Sequence, residues 1–329
     1  MAAPARDGGA RSVLVTGASG LVGRQVVARL ARERDAVGRI VAVDLREPAA
    51  ADRQPGVVYE TGDVREAGLV KRLEHHAADT VVHLAAVVVA GPESSRELEY
   101  SIDVLGTRNV IEACVAAGVR QLVYTSSGAA YGYHADNPVP LRETDPLRGN
   151  QDFAYAWHKR LAEEAIAEAR RAHPALSQLV FRVGTILGAR VASPISALFE
   201  RRVIIGVAGS DAPFVLIWDE DVAAAIAKGI LERRAGIYNL CGDGAIALPE
   251  IARRLGRPYL PLPAPLLGGA LGLARRLGLS SRGAEQVDFL RYRPVLANDA
   301  LVRELGFRPR FTSSECFDHY RSVRFGSGS

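Results

Sequence analysis

Short β-branched runs alternate with longer stretches of helical periodicity through the first half of the chain, and that alternation leaves few folds open. In order they read SVLVTG, LVGRQVVARLARE, RIVAVD, VVYETGD, TVVHLAAV, a helical stretch through TRNVIEACVAAG, QLVYTSS, a long helix around YAWHKRLAEEAIAEARR and a strand at LVFRVGT. Strands joined by helical crossovers pair in parallel, and a parallel sheet has to be covered on both faces. The expected fold class is therefore α/β, a doubly wound parallel sheet. With 329 residues, 48% of them hydrophobic, the chain has material for a large core.

After residue 185 the rhythm breaks, and Pro and Gly concentrate in RPYLPLPAPLLGGALGLARRLGL. A smaller, irregular unit is expected there. FVLIWDEDVAAAI and GIYNLCG again read as strand and helix material, so the two halves should interleave. The expected organisation is residues 11–184 as the first domain, residues 214–242 returning to it, and the rest of 185–325 as a substrate-binding or lid unit. The apolar stretch 263–279 is short and broken by Arg275 and Arg276, which suits a lid or packing helix better than a membrane element.

Composition excludes several classes of partner. No apolar run reaches the roughly 20 residues of a membrane span, and MAAPARDGGA lacks the hydrophobic segment of a secretory signal, so a cytosolic protein is expected. Cys114, Cys241 and Cys316 form neither CxxC nor a His/Cys cluster, which predicts no disulfide and no metal. The 41 basic residues are interspersed with 37 acidic ones, a pattern that disfavours nucleic acid.

The glycines of SVLVTGASGLVGRQVVARL carry the first functional reading. A strand that ends in a bare turn and runs into a helix gathers free N–H groups and the positive end of the helix dipole at one point, which attracts phosphate. Gly17 suits the tight turn, Gly20 a close approach of pyrophosphate, and Gly23 close packing of helix on strand. The spacing TGxxGxxG departs from GxGxxG. Asp44, closing RIVAVD, stands where a carboxylate accepts hydrogen bonds from an adenosine ribose and repels a 2′-phosphate. NAD is accordingly favoured over NADP, with Arg46 two residues on tempering that preference.

FAYAWHKRL supplies the second reading. Tyr155 and Lys159 are four residues apart and share a helix face. An ammonium near a phenol stabilises phenolate, as a proton shuttle to a hydroxyl or carbonyl requires. The chain has only three lysines, Lys71, Lys159 and Lys228, so the spacing is seldom accidental. QLVYTSSGAAYG ends in hydroxyls that could donate to the same substrate oxygen, with Ser127 preferred to Ser126.

Taken with GDV at 62–64, HLAA at 83–86, IWDEDVA and ELGFRPRFT, these stretches resemble an extended short-chain dehydrogenase/reductase, the NAD-dependent epimerase/dehydratase family. The resemblance implies a Rossmann-type domain with NAD across the strand ends and catalysis by Ser127, Tyr155 and Lys159. Ser127 matches the family's Ser or Thr four residues before the Tyr131-Gly132 pair. It further implies cofactor contacts from Gly17, Ser19, Gly20, Leu21, Val22 and Gly23, from Asp44, Leu45 and Arg46, from Asp63 and Val64 near adenine, and from Leu84, Ala85, Ala86, Tyr155, Lys159 and Val183. A homodimer through paired long helices is also implied.

The sequence departs from the family in informative places. Gly128 and Ala129 stand where dehydratases carry acids, so elimination is not expected. Thr185 replaces a customary Asn, and Pro213-Phe214 a customary Arg-Asp, both of which meet a nucleotide diphosphate; these changes disfavour a UDP- or dTDP-sugar. Asp103 replaces a customary Asn and should alter the surroundings of Lys159. The expected reaction is hydride transfer at a secondary alcohol or ketone. It is an epimerisation, of a sugar or sugar nucleotide, if NAD is retained, and a dehydrogenation of a non-nucleotide alcohol if NADH leaves; a non-catalytic NAD-binding subunit would be expected to have lost the Tyr-Lys pair. Among the histidines, His83 reads as packed in its strand, His158 as surface, His75 and His76 as a polar helix end, and His134 as an ordinary loop residue near the site.

Overall fold

The computed structural model describes residues 10–88, 91, 94–277 and 286–326. Its strands are β1 (Arg11–Thr16), β2 (Val37–Asp44), β3 (Val58–Thr61), β4 (Thr80–His83), β5 (Gln121–Ser127), β6 (Ser177–Val183), β7 (Thr185–Leu187), β8 (Ile204–Val207), β9 (Leu216–Trp218), β10 (Gly236–Leu240) and β11 (Tyr259–Leu262). The helices that matter for the site are α1 (Leu21–Leu30), α2 (Leu69–His75), α3 (Arg96–Tyr100), α4 (Gly106–Ala116), α5 (Ala154–Ala172), α6 (Pro194–Phe199), α7 (Asp219–Leu231), α8 (Leu248–Arg254) and α9 (Ala264–Arg276).

Seven parallel strands form the central sheet in the order β10-β6-β5-β4-β1-β2-β3. Chain direction across the sheet reverses between β1 and β4, and in doubly wound sheets the crevice at such a switch point is where ligands bind. Alternate side chains point to opposite faces. Val13, Val15, Val82 and Val123 thus enter one core with Val26 and Leu30 of α1 and Val222 and Ile226 of α7. Leu14, Val81, Leu122 and Tyr124 enter another with Val110 of α4 and Ala162 and Ile166 of α5. Both faces being covered, β1 reads as a continuous hydrophobic run.

The second half builds two short parallel pairs, β7 with β9 and β8 with β11. They surround a separate core containing Phe199, Phe214, Trp218, Ile251, Phe317 and Tyr320. Within 214–242 the chain rejoins the main sheet in stages: β9 pairs with β7 outside it, then α7 packs on α1 and β10 pairs with β6. Helix α9 occupies most of the apolar stretch 263–279; it buries Leu267 against Val207 and Val287 and exposes Leu266 and Leu273. Residues 278 and 279 of that stretch lie outside the described residues. Among the described residues no helix is long and apolar enough to cross a membrane, and no cluster of side chains could hold a metal ion.

Candidate active site

The turn between β1 and α1 leaves no room for a side chain at Gly17 or Gly23. Gly17 has φ +68°, and a Cβ there would lie 2.6 Å from the backbone N of Ala85. A Cβ on Gly23 would lie 2.1 Å from the carbonyl oxygen of Gly17, so the first turn of α1 rests directly on the loop. Gly20 caps α1 with no side-chain hydrogen bond, which leaves the N–H groups of Leu21 and Val22 at the helix N-terminus without a side-chain cap. Gly17 and Gly23 thus let the loop close against the chain after β4 and against α1, beside an uncapped helix N-terminus that suits phosphate.

Asp44, at the end of β2, is oriented from two sides. Its Oδ2 accepts from the Ser19 N–H at 2.9 Å and its Oδ1 from the Leu45 N–H at 2.7 Å. A carboxylate has about four lone-pair sites, so both oxygens can still accept from a ribose. Leu45 and Arg46 are exposed beside it, and the Arg46 carbonyl receives the Ser19 hydroxyl. Asp63 is gripped by Arg65, whose guanidinium holds its carboxyl below the usual range. Val64 is buried next to Gly106, where a Cβ would come within 2.7 Å of a Val64 methyl. Leu84, Ala85 and Ala86 follow β4, with the Leu84 N–H donating to Thr16 O, and Val183 closes β6. All these positions border the strand ends around the switch point.

Tyr155 and Lys159 lie on the first turns of α5, facing the end of β5. Part of Tyr155 remains accessible, but its hydroxyl is deep enough that burial pushes its pKa up to about 12; a hydrogen bond with Ser127 opposes the shift and the charge of Asp103 adds to it. Ser127 is therefore the hydroxyl beside Tyr155, whereas Ser126 points to the opposite side of the strand, buried and without a hydrogen-bond partner among the described residues. The Ser127 hydroxyl also accepts from the Ala129 N–H.

The Lys159 ammonium, 4% exposed, donates to Thr125 O at 2.9 Å and to the Tyr124 hydroxyl at 3.2 Å, and lies 5.9 Å from the centre of the Tyr155 ring. Burial lowers its pKa, against the pull of Asp103 and Glu163. The acidification of Tyr155 expected from this ammonium does not appear in the protein alone, where burial is the largest influence on the phenol and raises its pKa.

The histidines sort differently from their sequence reading. His83 is packed as expected, held by the hydroxyls of Thr16 and Thr107, and its burial, followed by the charge of Lys159, lowers its pKa to about 3. His158 is not at the surface. It is 1% exposed, its Nδ1 is 3.4 Å from Asp103 Oδ2, and its ring meets Tyr100 edge-on. The reason is that a π-helical turn at Ser101–Leu105 packs on this side of α5. His76, expected in a polar helix end, is likewise buried and paired with Glu60. His134 bonds the Gly149 carbonyl and serves its loop.

One polar group has no counterpart in the sequence reading. Arg293 lies over the ring of Phe214 at 3.9 Å and of Phe289 at 4.7 Å, and its Nη2 donates to Thr185 Oγ1 at 3.1 Å. Its Nε and Nη1 are shut away from solvent with no hydrogen-bond partner among the described residues, and burial lowers its pKa to about 10. Tyr133 links it to the site: Tyr133 and Tyr155 share one apolar cluster with Phe289 and Tyr292, and Tyr133 is coupled electrostatically to both Arg293 and Tyr155. Thr185 and Phe214, the two departures noted above, are the residues that seat this guanidinium.

This arrangement of a glycine turn at a switch point, an oriented carboxylate at the end of the second strand and a Tyr-Lys pair on the adjoining helix is that of a nucleotide-dependent oxidoreductase of the short-chain type. Residues 13–240 match the NAD dependent epimerase/dehydratase family, and the chain belongs to that family of NAD-dependent enzymes. It is 28% identical over 313 residues to an uncharacterized protein of Mycobacterium tuberculosis, covering 94% of this chain and 82% of that one. A UDP-glucose 4-epimerase of Erwinia amylovora is 29% identical over 185 residues, 54% of each chain. Among solved structures, MoeE5 in complex with UDP-glucose and NAD superposes with a TM-score of 0.72 at 24% identity, covering 95% of this chain and 98% of that one. The UDP-glucose 4-epimerase of Thermus thermophilus in complex with NAD gives 0.70 at 24% identity, over 94% and 99%.

Proposed function

We propose that this protein moves hydride between NAD and a secondary alcohol carried on an anionic, phosphoryl-bearing substrate of the sugar-nucleotide kind, with epimerisation as the net reaction. The observation that carries the proposal is the proximity of two features: a phenol beside Ser127 one helical turn from a buried ammonium, and, across Tyr133, a guanidinium whose Nε and Nη1 have no hydrogen-bond partner among the described residues. A buried cation whose N–H groups lack partners gains most from an anion that can reach it.

The residues fit NAD. Gly17, Gly20, Gly23 and the N–H groups of Leu21 and Val22 would hold the pyrophosphate, Asp44 the ribose, Ser19, Leu45, Arg46, Asp63 and Val64 the adenosine side, and Leu84, Ala85, Ala86 and Val183 the nicotinamide side. When bound, NAD supplies the hydride acceptor and a positively charged ring. In the alcohol-to-ketone half Tyr155 would take up the alcohol proton as a phenolate, which the positive charges of bound NAD and of Lys159 favour against its burial, and in the return half the phenol would give that proton back to the carbonyl oxygen, with Ser127 fixing that oxygen. Gly128 packs against Leu296 and leaves no acid to drive elimination.

Purified protein incubated with NAD and UDP-glucose or UDP-galactose is expected to interconvert the two without net absorbance at 340 nm, as read by proton NMR. Accumulating NADH with a non-nucleotide alcohol would favour the dehydrogenase instead. Tyr155→Phe should abolish turnover and leave NADH binding within about twofold; unchanged turnover rejects the acid/base role.

Two copies are inferred to pair through α4 and α5. The groove between these helices is lined by Ile111, Val115, Ala165 and Ala169, with Arg108 and Glu168 at its rim. Light scattering should give twice the chain mass, and a monomer removes that pairing. Three free, buried cysteines suit a reducing cytosol.

A further inference from the structure

Lys159 carries an ammonium into a nearly dry interior, and the groups that receive it there belong to β5. Its Nζ donates to Thr125 O at 2.9 Å and to the Tyr124 hydroxyl at 3.2 Å, and lies 4.8 Å from the centre of the Tyr124 ring. Both side chains are buried. Thr125 O is a backbone carbonyl that any residue at that position would supply. The Tyr124 hydroxyl is the only side chain hydrogen-bonded to the ammonium among the described residues.

Tyr124 is itself held in place. Its ring lies 5.6 Å from that of His83, tilted by 32°. His83 cannot turn, because its Nδ1 is 2.8 Å from Thr16 Oγ1 and its Nε2 is 3.0 Å from Thr107 Oγ1. The Thr107 hydroxyl gives its own proton to Asp103 O at 2.6 Å. His83 therefore donates at Nε2 and accepts the Thr16 proton at Nδ1. Burial keeps the imidazole neutral and the Tyr124 phenol protonated, so Tyr124 meets the ammonium as a neutral acceptor. Thr16 of β1, His83 of β4 and Thr107 of α4 thus form a buried prop behind the Tyr124 ring.

We infer that Tyr124 is a positioning residue: with Thr125 O it fixes the Lys159 ammonium on the sheet, 5.9 Å from the centre of the Tyr155 ring, before any ligand is bound. The inference rests on the role given to Lys159 above. An ammonium has three N–H groups, and β5 engages two of them. A hydrogen bond to a charged group is stronger than one between neutral groups, and more so where water is scarce. The hydroxyl should therefore stabilise the charge as well as the position of Lys159. The groups facing Lys159 are Tyr124 of β5, Tyr155 and Glu163 of α5, His83 of β4 and Asp103 of the π-helical turn. Neither carboxylate bonds to it: Glu163 is paired with Arg182, and Asp103 faces His158 and the Val87 N–H.

Because the chain has only three lysines, the charge of Lys159 can be read directly. Full-length protein labelled with 13C-lysine is titrated by NMR at the Cε position, with Lys159→Arg identifying the signal. Tyr124→Phe keeps the ring beside the ammonium and removes one oxygen. Its Lys159 midpoint is expected to fall by about one pH unit, a tenfold change in the ionisation constant. Lys71 and Lys228 should not move, and Tyr155→Phe should shift the Lys159 midpoint less than Tyr124→Phe does.

A Lys159 midpoint unchanged in Tyr124→Phe overturns the assignment, even if that variant melts earlier, and so does an equal shift in Tyr155→Phe. Should Tyr124→Phe fail to fold, the wild type decides: the Lys159 Cε protons should show cross-peaks to a tyrosine ring that persist in Tyr155→Phe, and their absence overturns the assignment. No substrate enters these measurements. A protein that turns over no sugar nucleotide would remove the proposed reaction and leave the hold on Lys159 standing, and the reverse holds equally.

Discussion

Replacing Arg293 with Met should make the protein more stable and less able to hold an anion. Burial lowers the pKa of the guanidinium from 12.5 to about 10, which corresponds to about 3 kcal/mol against the charged form. The sign follows from the direction: a base whose folded pKa lies below its unfolded value destabilises the fold fully at all pH below about 10, and the penalty fades only as pH rises toward 12.5. At pH 7 the whole penalty is present. Contact with the rings of Phe214 and Phe289 offsets part of it, by about 1–2 kcal/mol for a desolvated cation on an aromatic face. A Met thioether retains favourable contact with both rings and has no N–H left unpaired. The Thr185 hydroxyl, which is partly accessible, can turn to water. The net change expected is about 1–2 kcal/mol of stabilisation, or a Tm raised by roughly 2–5 °C. Differential scanning fluorimetry at pH 7 and pH 9 should show the same gain at both. Isothermal titration with UDP should show affinity lost by at least tenfold. A Tm that falls would mean that Arg293 holds the two halves together and has no anion to meet; a gain in Tm with UDP affinity intact would remove the anion from this position.

Gly23→Ala should destabilise the protein and weaken NADH binding at least tenfold, because its Cβ would meet fixed backbone at 2.1 Å. Overpacking of ~1–3 kcal/mol then exceeds the ~1 kcal/mol that Ala contributes to a helix. Gly20→Ala, whose Cβ meets one atom at 3.1 Å, is the milder comparison, and equal effects of the two in fluorescence titration and thermal melts would refute the close-approach reading. Glu163→Gln strips the charge from the partner of a buried guanidinium and should lower stability by about 3 kcal/mol in urea unfolding; a change below about 1 kcal/mol would mean that the Tyr131 and Glu143 contacts suffice for Arg182.

Features set by backbone and period were legible in the sequence. The alternation of β-branched runs with helical stretches determines a covered parallel sheet, and Gly17 and Gly23 announce positions where only a missing Cβ fits. Tyr155 and Lys159 announce themselves by helical spacing. Groups whose meaning depends on a partner from elsewhere were not legible. His158, Lys159 and Glu163 all lie on the buried side of α5, where periodicity alone places polar residues outward; their partners Asp103, Thr125 and Arg182 come from other elements. Arg293 looks like any other arginine of the chain until Thr185 is found 108 positions away at its Nη2. The Tyr155 phenol illustrates a second limit, since spacing predicts proximity to an ammonium but says nothing of how much water both have lost.

The order of the strands separates two tasks along the chain. Everything that shapes the glycine turn and its carboxylate comes from β1, β2 and the loop after β4, all before residue 90, while the guanidinium beside Tyr133 arrives from residue 293, beyond the last crossover. On the role proposed for Arg293, sequence drift or deliberate grafting around residues 286–295 would exchange what the enzyme acts upon while its redox half stays as it is. Relatives that differ chiefly in that short tract should share a coenzyme and diverge in diet.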